Sequence, residues 1–190
     1  APLWAYNNST PVVSSGSSGI ALPRVTVMAG DGSVAMAGVR GDDFWARLLP
    51  AGGTFTECQF SSLGDGAGAA AYTAGRKLML AGSQDSRIQL VRLQAGGCQL
   101  DPTFSLDSSV VLDYGALLGY PGSPVGIKAM AIQPDGKILL AGWAEVYSGS
   151  RRDVLVVRTT PTGQWDTTFG DRGARLISSS RGMDEAAAIA

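Results

Sequence analysis

AIQPDGKILLAG, residues 131 to 142, is the stretch on which the reading of this chain turns. Pro134 pre-sets φ for the first corner of a turn, and Asp135 and Gly136 supply a polar cap and a φ > 0 position that lets two strands fold back antiparallel. Apolar residues flank that turn on both sides, and the second run closes on Ala141-Gly142. The pattern is that of a β-hairpin.

Two worn copies lie upstream. VTVMAGDGSVAMAG (25–38) and AAAYTAGRKLMLAG (69–82) share the plan of MAIQPDGKILLAG (130–142): an apolar run, a turn ending in Gly32, Gly75 or Gly136, an alternating run, and a closing Ala-Gly. A second half follows each hairpin, namely FWARLLPAGGTFTECQF (44–60), IQLVRLQAGGCQLDPTF (88–104) and VLVVRTTPTGQWDTTF (154–169). Each half holds a strand bearing an arginine (Arg47, Arg92, Arg158), a Gly-bearing turn, and an acid (Glu57, Asp101, Asp166) three residues before a phenylalanine (Phe60, Phe104, Phe169). Strand pairs recurring in this way mark propellers and solenoids. The last residues match Ala188-Ile189 to Ala131-Ile132, as the opening strand of a fourth copy.

The expected fold is all-β: a β-propeller fragment of about three antiparallel blades plus the first strand of a fourth. The boundaries read as 1–24 for an N-terminal extension, linker or edge strand, and 25–190 for the repeats, divided near 25–66, 67–126, 127–180 and 184–190. Propellers close with 4 to 8 blades. Three copies and a stub leave open faces, so the remaining blades are expected as partners, from a continuation of the chain or a second chain.

At DGKILLAG, VLVVRTTPTGQWDTTFGDRG and their weaker copies, the sequence resembles the delta-60 repeat family, over roughly residues 25 to 190. The third copy matches that family's pattern closely, the second less so and the first poorly. The resemblance implies a β-propeller in a bacterial, usually exported repeat protein, and it implies no catalytic site.

Composition supports the strand reading and narrows function. The chain has 190 residues, enough to bury roughly 70% of its unfolded surface, and its 26 glycines suit short strands and tight turns. Net charge is -1, with 12 arginines and 3 lysines scattered among 16 acids. No basic stripe exists to neutralise phosphates, so nucleic acid is not an expected partner. No apolar run approaches the ~20 residues of a membrane span. The opening APLW has neither Met nor hydrophobic leader, which fits removal of a signal peptide or simply a chain boundary. The expected location is secreted, periplasmic or cell surface. Asn7-Asn8-Ser9-Thr10 holds two overlapping glycosylation sequons, which matter only in a eukaryotic secretory pathway.

Histidine is absent. This removes Ser-His-Asp and Cys-His nucleophile activation and His-ligated metal from the chain's own repertoire. An enzyme reading then rests on Asp42, Asp43, Asp153 or Asp171, with Tyr114 or Tyr147; acids between strands ordinarily form turns and sit in solvent. Cys58 and Cys98 fall beside the Gly turns of neighbouring copies. In an exported protein they most simply form one disulfide, and two buried free thiols are the alternative. GDGAGAAA (64–71) carries GxGxxA but leads into a strand position, where a phosphate loop needs a following helix. The Arg–acid recurrence reads as a packing pair repeated in every blade, since ligand sites tend to break repeat symmetry. The three phenylalanines read as core, and Trp4, Trp45, Trp143 and Trp165, which do not align, as partly exposed or buried.

The expected function is a non-catalytic exported scaffold or recognition module that docks protein or glycan, with no cofactor and no metal. The alternatives are a fragment of a propeller hydrolase or lyase with its site at the central channel, and a subunit of a cell-surface assembly.

Overall fold

The structure is a computed structural model that describes residues 4–7, 10–13, 20–60, 66–105, 109–119, 121–146, 151–178 and 182–190. The described chain is all-β apart from one short helix. Three four-stranded antiparallel meanders follow one another. Blade 1 is β3 (Ala21–Met28), β4 (Val34–Arg40), β5 (Asp43–Leu49) and β6 (Thr56–Phe60). Blade 2 is β7 (Ala67–Tyr72), β8 (Leu78–Gln84), β9 (Arg87–Leu93) and β10 (Ser109–Asp113). Blade 3 is β11 (Val125–Ile132), β12 (Ile138–Val146), β13 (Arg151–Thr159) and β14 (Ala174–Ile177). A leading hairpin, β1 (Trp4–Asn7) and β2 (Thr10–Val13), extends the outer edge of blade 1, with Ala5 opposite Gln59 in parallel. The first inner strand begins at Ala21 rather than at Val25.

The inner strands β3, β7 and β11 are neighbours in space, so the blades fan around a common axis as in a propeller. Strand alternation does the packing. In β8, Leu78 and Leu80 enter the core shared with blade 1, while Met79 and Ala81 enter the core shared with blade 3. In β9, Val91 and Leu93 face blade 1, and Ile88 and Leu90 face blade 3. Blade 2 is thereby buried on both sides. We call the side of each blade that meets its successor the trailing face, and the opposite side the leading face.

The closing Ala-Gly of each hairpin has a specific cause. Each inner strand bulges, with register shifts at Pro23/Val25, Ala67/Ala69 and Ile127/Ala129. The bulge pushes a backbone carbonyl onto the partner glycine. A Cβ at Gly38 would lie 2.0 Å from the Leu22 oxygen, and one at Gly142 1.8 Å from the Gly126 oxygen.

Four sequence expectations change. In the second hairpin the left-handed position is Arg76 (φ 61), where the others have Gly32 (φ 85) and Gly136 (φ 82), so Gly75 stands where Asp135 does and the copy is offset by one. Arg47 pairs with Met36, immediately before Ala37, whereas Arg92 and Arg158 pair with Met79 and Leu139, two residues before Ala81 and Ala141. That one-residue slip puts Arg47 on the leading face and the other two on the trailing face. Phe169 is half-buried, while its counterpart Phe104 is fully buried beneath Gly163 and Val110. The described chain places no further blade over Phe169. Residues 184–190 form no strand: their backbone lies against blade 3, where the Asp184 and Ala186 amides donate to the Arg152 and Gly142 carbonyls, rather than running in a ladder.

The connection from blade 2 to blade 3 contains the helix α1 (Tyr114–Leu118), capped by Asp113 and ended by Gly119 at φ 79. It seats Tyr114 in the core between those blades.

Candidate functional site

The Arg–acid pairs form closed polar clusters at the turn end of each blade. Asp101 accepts from Arg92 Nε at 2.6 Å, Lys77 Nζ at 2.7 Å, and the Thr103 hydroxyl and amide at 2.7 and 3.0 Å. Asp166 repeats this with Arg158 Nε at 2.7 Å, Lys137 Nζ at 3.1 Å, and the Thr168 hydroxyl and amide at 2.7 and 3.1 Å. Each arginine lies over the phenylalanine that follows, Arg92 4.9 Å from the Phe104 centroid and Arg158 4.8 Å from that of Phe169. Lys77 and Lys137 take part because each directly follows the left-handed turn residue. The Asp-x-Thr spacing recurs in the sequence and signals the threonine donors, whereas Lys77 and Lys137 reach the acids only through the packing of the hairpin that carries them.

Burial alone pushes the Asp101 carboxyl up, but Lys77, the Thr103 hydroxyl and amide, and Arg92 together hold it well below the usual carboxylate range. At Asp166 the Thr168 hydroxyl contributes most, and with the Thr168 amide, Lys137 and Arg158 it outweighs burial in the same direction. Both carboxylates are saturated with donors and serve their own blade.

Blade 1 solves the problem differently, as its register slip requires. Glu57 accepts from Trp45 Nε1 at 2.6 Å, from Arg40 Nη2 at 2.8 Å and from Arg47 Nη2 at 3.3 Å. Arg47 stacks on Phe55, 4.5 Å from its centroid, leaving Phe60 to the core between blades 1 and 2. Trp45 is buried in this network, whereas Trp143 is half-buried beneath Arg152, 3.8 Å from its ring, and Trp165 packs at the edge of the core between blades 2 and 3.

Cys58 and Cys98 form a disulfide with their Cα atoms 5.5 Å apart. It fastens β6 of blade 1 to the turn after β9 of blade 2, within the core they share.

The acids of the enzyme reading do not converge. Asp43 accepts from Gln59 in blade 1, Asp153 from Arg151 in blade 3, and Asp171 lies in the turn before β14. Asp42 is exposed at the β4–β5 turn, Tyr114 is fully buried, and Tyr147 lies outside the described residues. Among the described residues no hydrogen bond or ion pair joins any two of these acids. The GxGxxA stretch runs into β7 from Ala67, with its first residues, 64 and 65, outside the described set.

The feature that sequence reading missed is a cleft of about 800 Å³ along the inner strands. The extra residue of each bulge lies on its wall: Arg24 in β3, Gly68 in β7 and Lys128 in β11. Gly68 has no room for a side chain, since a Cβ there would lie 2.0 Å from the Ile127 oxygen. Ser83, Asp85 and Glu185 line the same cleft, and its size is within the range of small-ligand sites. Asp85 holds a left-handed backbone (φ 52), and its carbonyl accepts from the Val125 amide across the blade interface. No periodic signal in the sequence marks bulge residues, because they are the ones that interrupt the period.

Comparison with known proteins agrees with the architecture. Residues 133–169 match a family model described as a domain of unknown function (DUF5122) beta-propeller. The match begins in the hairpin turn of blade 3 and ends at Phe169. No curated protein matches the chain. Among the described residues, no helix is long and apolar enough to cross a membrane.

Proposed function

We propose that the chain is a non-catalytic scaffold and recognition module of an exported propeller, completed by further blades and docking a protein or glycan at its axial end. The observation that carries the proposal is the trailing face of blade 3. In blades 1 and 2 the corresponding positions, Ala35, Ala37, Phe44 and Ala46, then Met79, Ala81, Ile88 and Leu90, are buried against the next blade. In blade 3 the equivalents Leu139, Val154 and Val156 are half-buried, only the small Ala141 stays buried, and Ile177 beside them is 52% exposed. The face keeps the apolar pattern of a covered one, so the occupant that fits it is one more blade of the same repeat. That blade belongs to a continuation of the chain or to a second chain. The disulfide supports export, since such bridges persist in oxidising compartments.

Substitution separates docking from folding. Leu139→Lys with Val156→Lys should leave the thermal midpoint within a few degrees, because neither side chain enters an internal core. The same change should abolish self-association and apolar-dye binding, read by light scattering and fluorescence. A parent chain that stays monomeric and binds no dye at high concentration would refute the docking role.

A further inference from the structure

We infer that blade 3 selects its neighbour by charge: the blade that covers its trailing face carries an aspartate or glutamate on the turn between its third and outer strands, and Arg175 is the residue that meets it. The inference rests on the blade docking proposed above and names the chemistry of the partner. Three cross-strand rows hold the same place in the repeat. Ala37, Ala46 and Cys58 stand side by side in blade 1, Ala81, Leu90 and Val110 in blade 2, and Ala141, Val156 and Arg175 in blade 3. Residues directly opposite one another share a face, so the outermost member of each row lies on the trailing side. In both interfaces within the chain, that member meets one position of the next blade, the residue just before the one that closes the turn after the third strand. Cys58 is bonded to Cys98, which precedes Gln99, whose carbonyl accepts from the Gln94 amide. Val110 lies against Gly163, where a Cβ would come within 2.7 Å of its Cγ2, and Gly163 precedes Gln164, whose carbonyl accepts from the Thr160 amide.

A covalent bond joins the first pair and an apolar contact the second, whereas the third row ends in a cation. Arg175 is exposed and forms no ion pair among the described residues. The acids of the loop leading into β14 are engaged elsewhere, Asp166 by Arg158 and Lys137, and Asp171 by Arg172. A blade that docks on Val156 and Ile177 takes Arg175 out of water with them. An unpaired charge there opposes docking, and a carboxylate at the Cys98 and Gly163 position converts it into a pair. The chain's own first blade offers no such group. Its corresponding turn, Pro50-Ala51-Gly52-Gly53-Thr54-Phe55, holds no acid, and counting in from the Leu48–Thr56 pair puts Gly53 at the place in question. Head-to-tail pairing of two copies therefore sets Arg175 against bare backbone, so the same residue that favours an acidic neighbour disfavours a second copy.

Supplying the missing acid tests the assignment. Gly53→Asp should strengthen self-association of the chain at least about tenfold at low salt, read by sedimentation, and about 0.5 M NaCl should remove most of that gain. Gly53→Asp with Arg175→Glu should lose the gain, and Gly53→Lys with Arg175→Glu should restore it. Both positions are exposed, so an unchanged thermal midpoint serves as the folding control, and Thr54→Asp on the same exposed turn takes over if Gly53→Asp lowers it. A chain carrying the new acid that associates no more tightly than the parent would overturn the assignment. So would an equal gain in the Arg175→Glu background, or a charge swap that restores nothing. The dye and light-scattering measurements on Leu139 and Val156 decide the wider docking proposal separately.

Discussion

Reducing the Cys58–Cys98 bridge is a perturbation whose size follows from the topology. The two cysteines are separated by 40 residues, a span that contains all of β7, β8 and β9. Cross-linking a loop of that length removes chain entropy from the unfolded state worth about 4 kcal/mol at 25 °C. For a chain of this size each kcal/mol moves the thermal midpoint by roughly 2–4 °C, so reduction should lower it by about 8–16 °C. Comparing oxidised and reduced parent protein by circular dichroism isolates this effect, because the two differ only in the S–S bond and the two thiol hydrogens that replace it. The Cys58→Ala, Cys98→Ala variant should fall somewhat further, since both sulfurs are buried between blades 1 and 2 and their removal leaves small voids. Unfolded, unreduced protein should titrate with no free thiol. A reduced protein that melts within about 3 °C of the oxidised one would refute the reasoning. It would mean that the bridge closes no loop that matters to the folded blades.

Three further outcomes follow from the same contacts. Phe104→Ala should cost about 3–5 kcal/mol in urea denaturation, and Phe169→Ala distinctly less, because only the first ring lies beneath a following blade; equal costs would contradict the assignment of trailing faces. Gly142→Ala should destabilise by more than about 3 kcal/mol or prevent folding, since its new Cβ would meet a backbone carbonyl that cannot rotate away. Acid should unfold the protein in a defined direction. The Asp101 and Asp166 carboxyls are held below their unfolded values, near 3.9, so at falling pH the unfolded chain takes up protons first. Their stabilisation is fully present above about pH 5 and declines below it, and Asp101→Asn should flatten that slope in melts from pH 7 to 2. An unchanged slope would remove Asp101 from the account.

The strand pairs were legible because turn chemistry and alternation are local signals. Pro134-Asp135-Gly136 sets its hairpin within four residues, and the recurrence of Ala-Gly carries that frame to the other copies. Two parts were misread for the same reason. Matching Arg47 to Arg92 and Gly75 to Gly136 aligned residue types, whereas the folded frame is set by which carbonyl presses on Gly38, Gly82 and Gly142. A slip of one residue is nearly invisible in a loose repeat, yet it moves a side chain to the other side of a blade. The charged clusters were half visible. Each arginine and acid carried its own spacing, but Lys77 and Lys137 come from a hairpin that only tertiary packing brings to Asp101 and Asp166. The axial cleft was not visible at all, since Arg24, Gly68 and Lys128 share no residue type and are related only by an irregularity of the backbone.

An NMR distance contact between the Gly68 α-protons and the Ile127–Lys128 backbone tests most directly whether successive meanders stack around one axis. The inner strands of blades 2 and 3 meet there so closely that no Cβ would fit. The fan described above requires a strong cross-peak at that position. Its absence from a well-resolved spectrum, with the hairpins of both blades otherwise intact, would mean that the sheets do not share a centre.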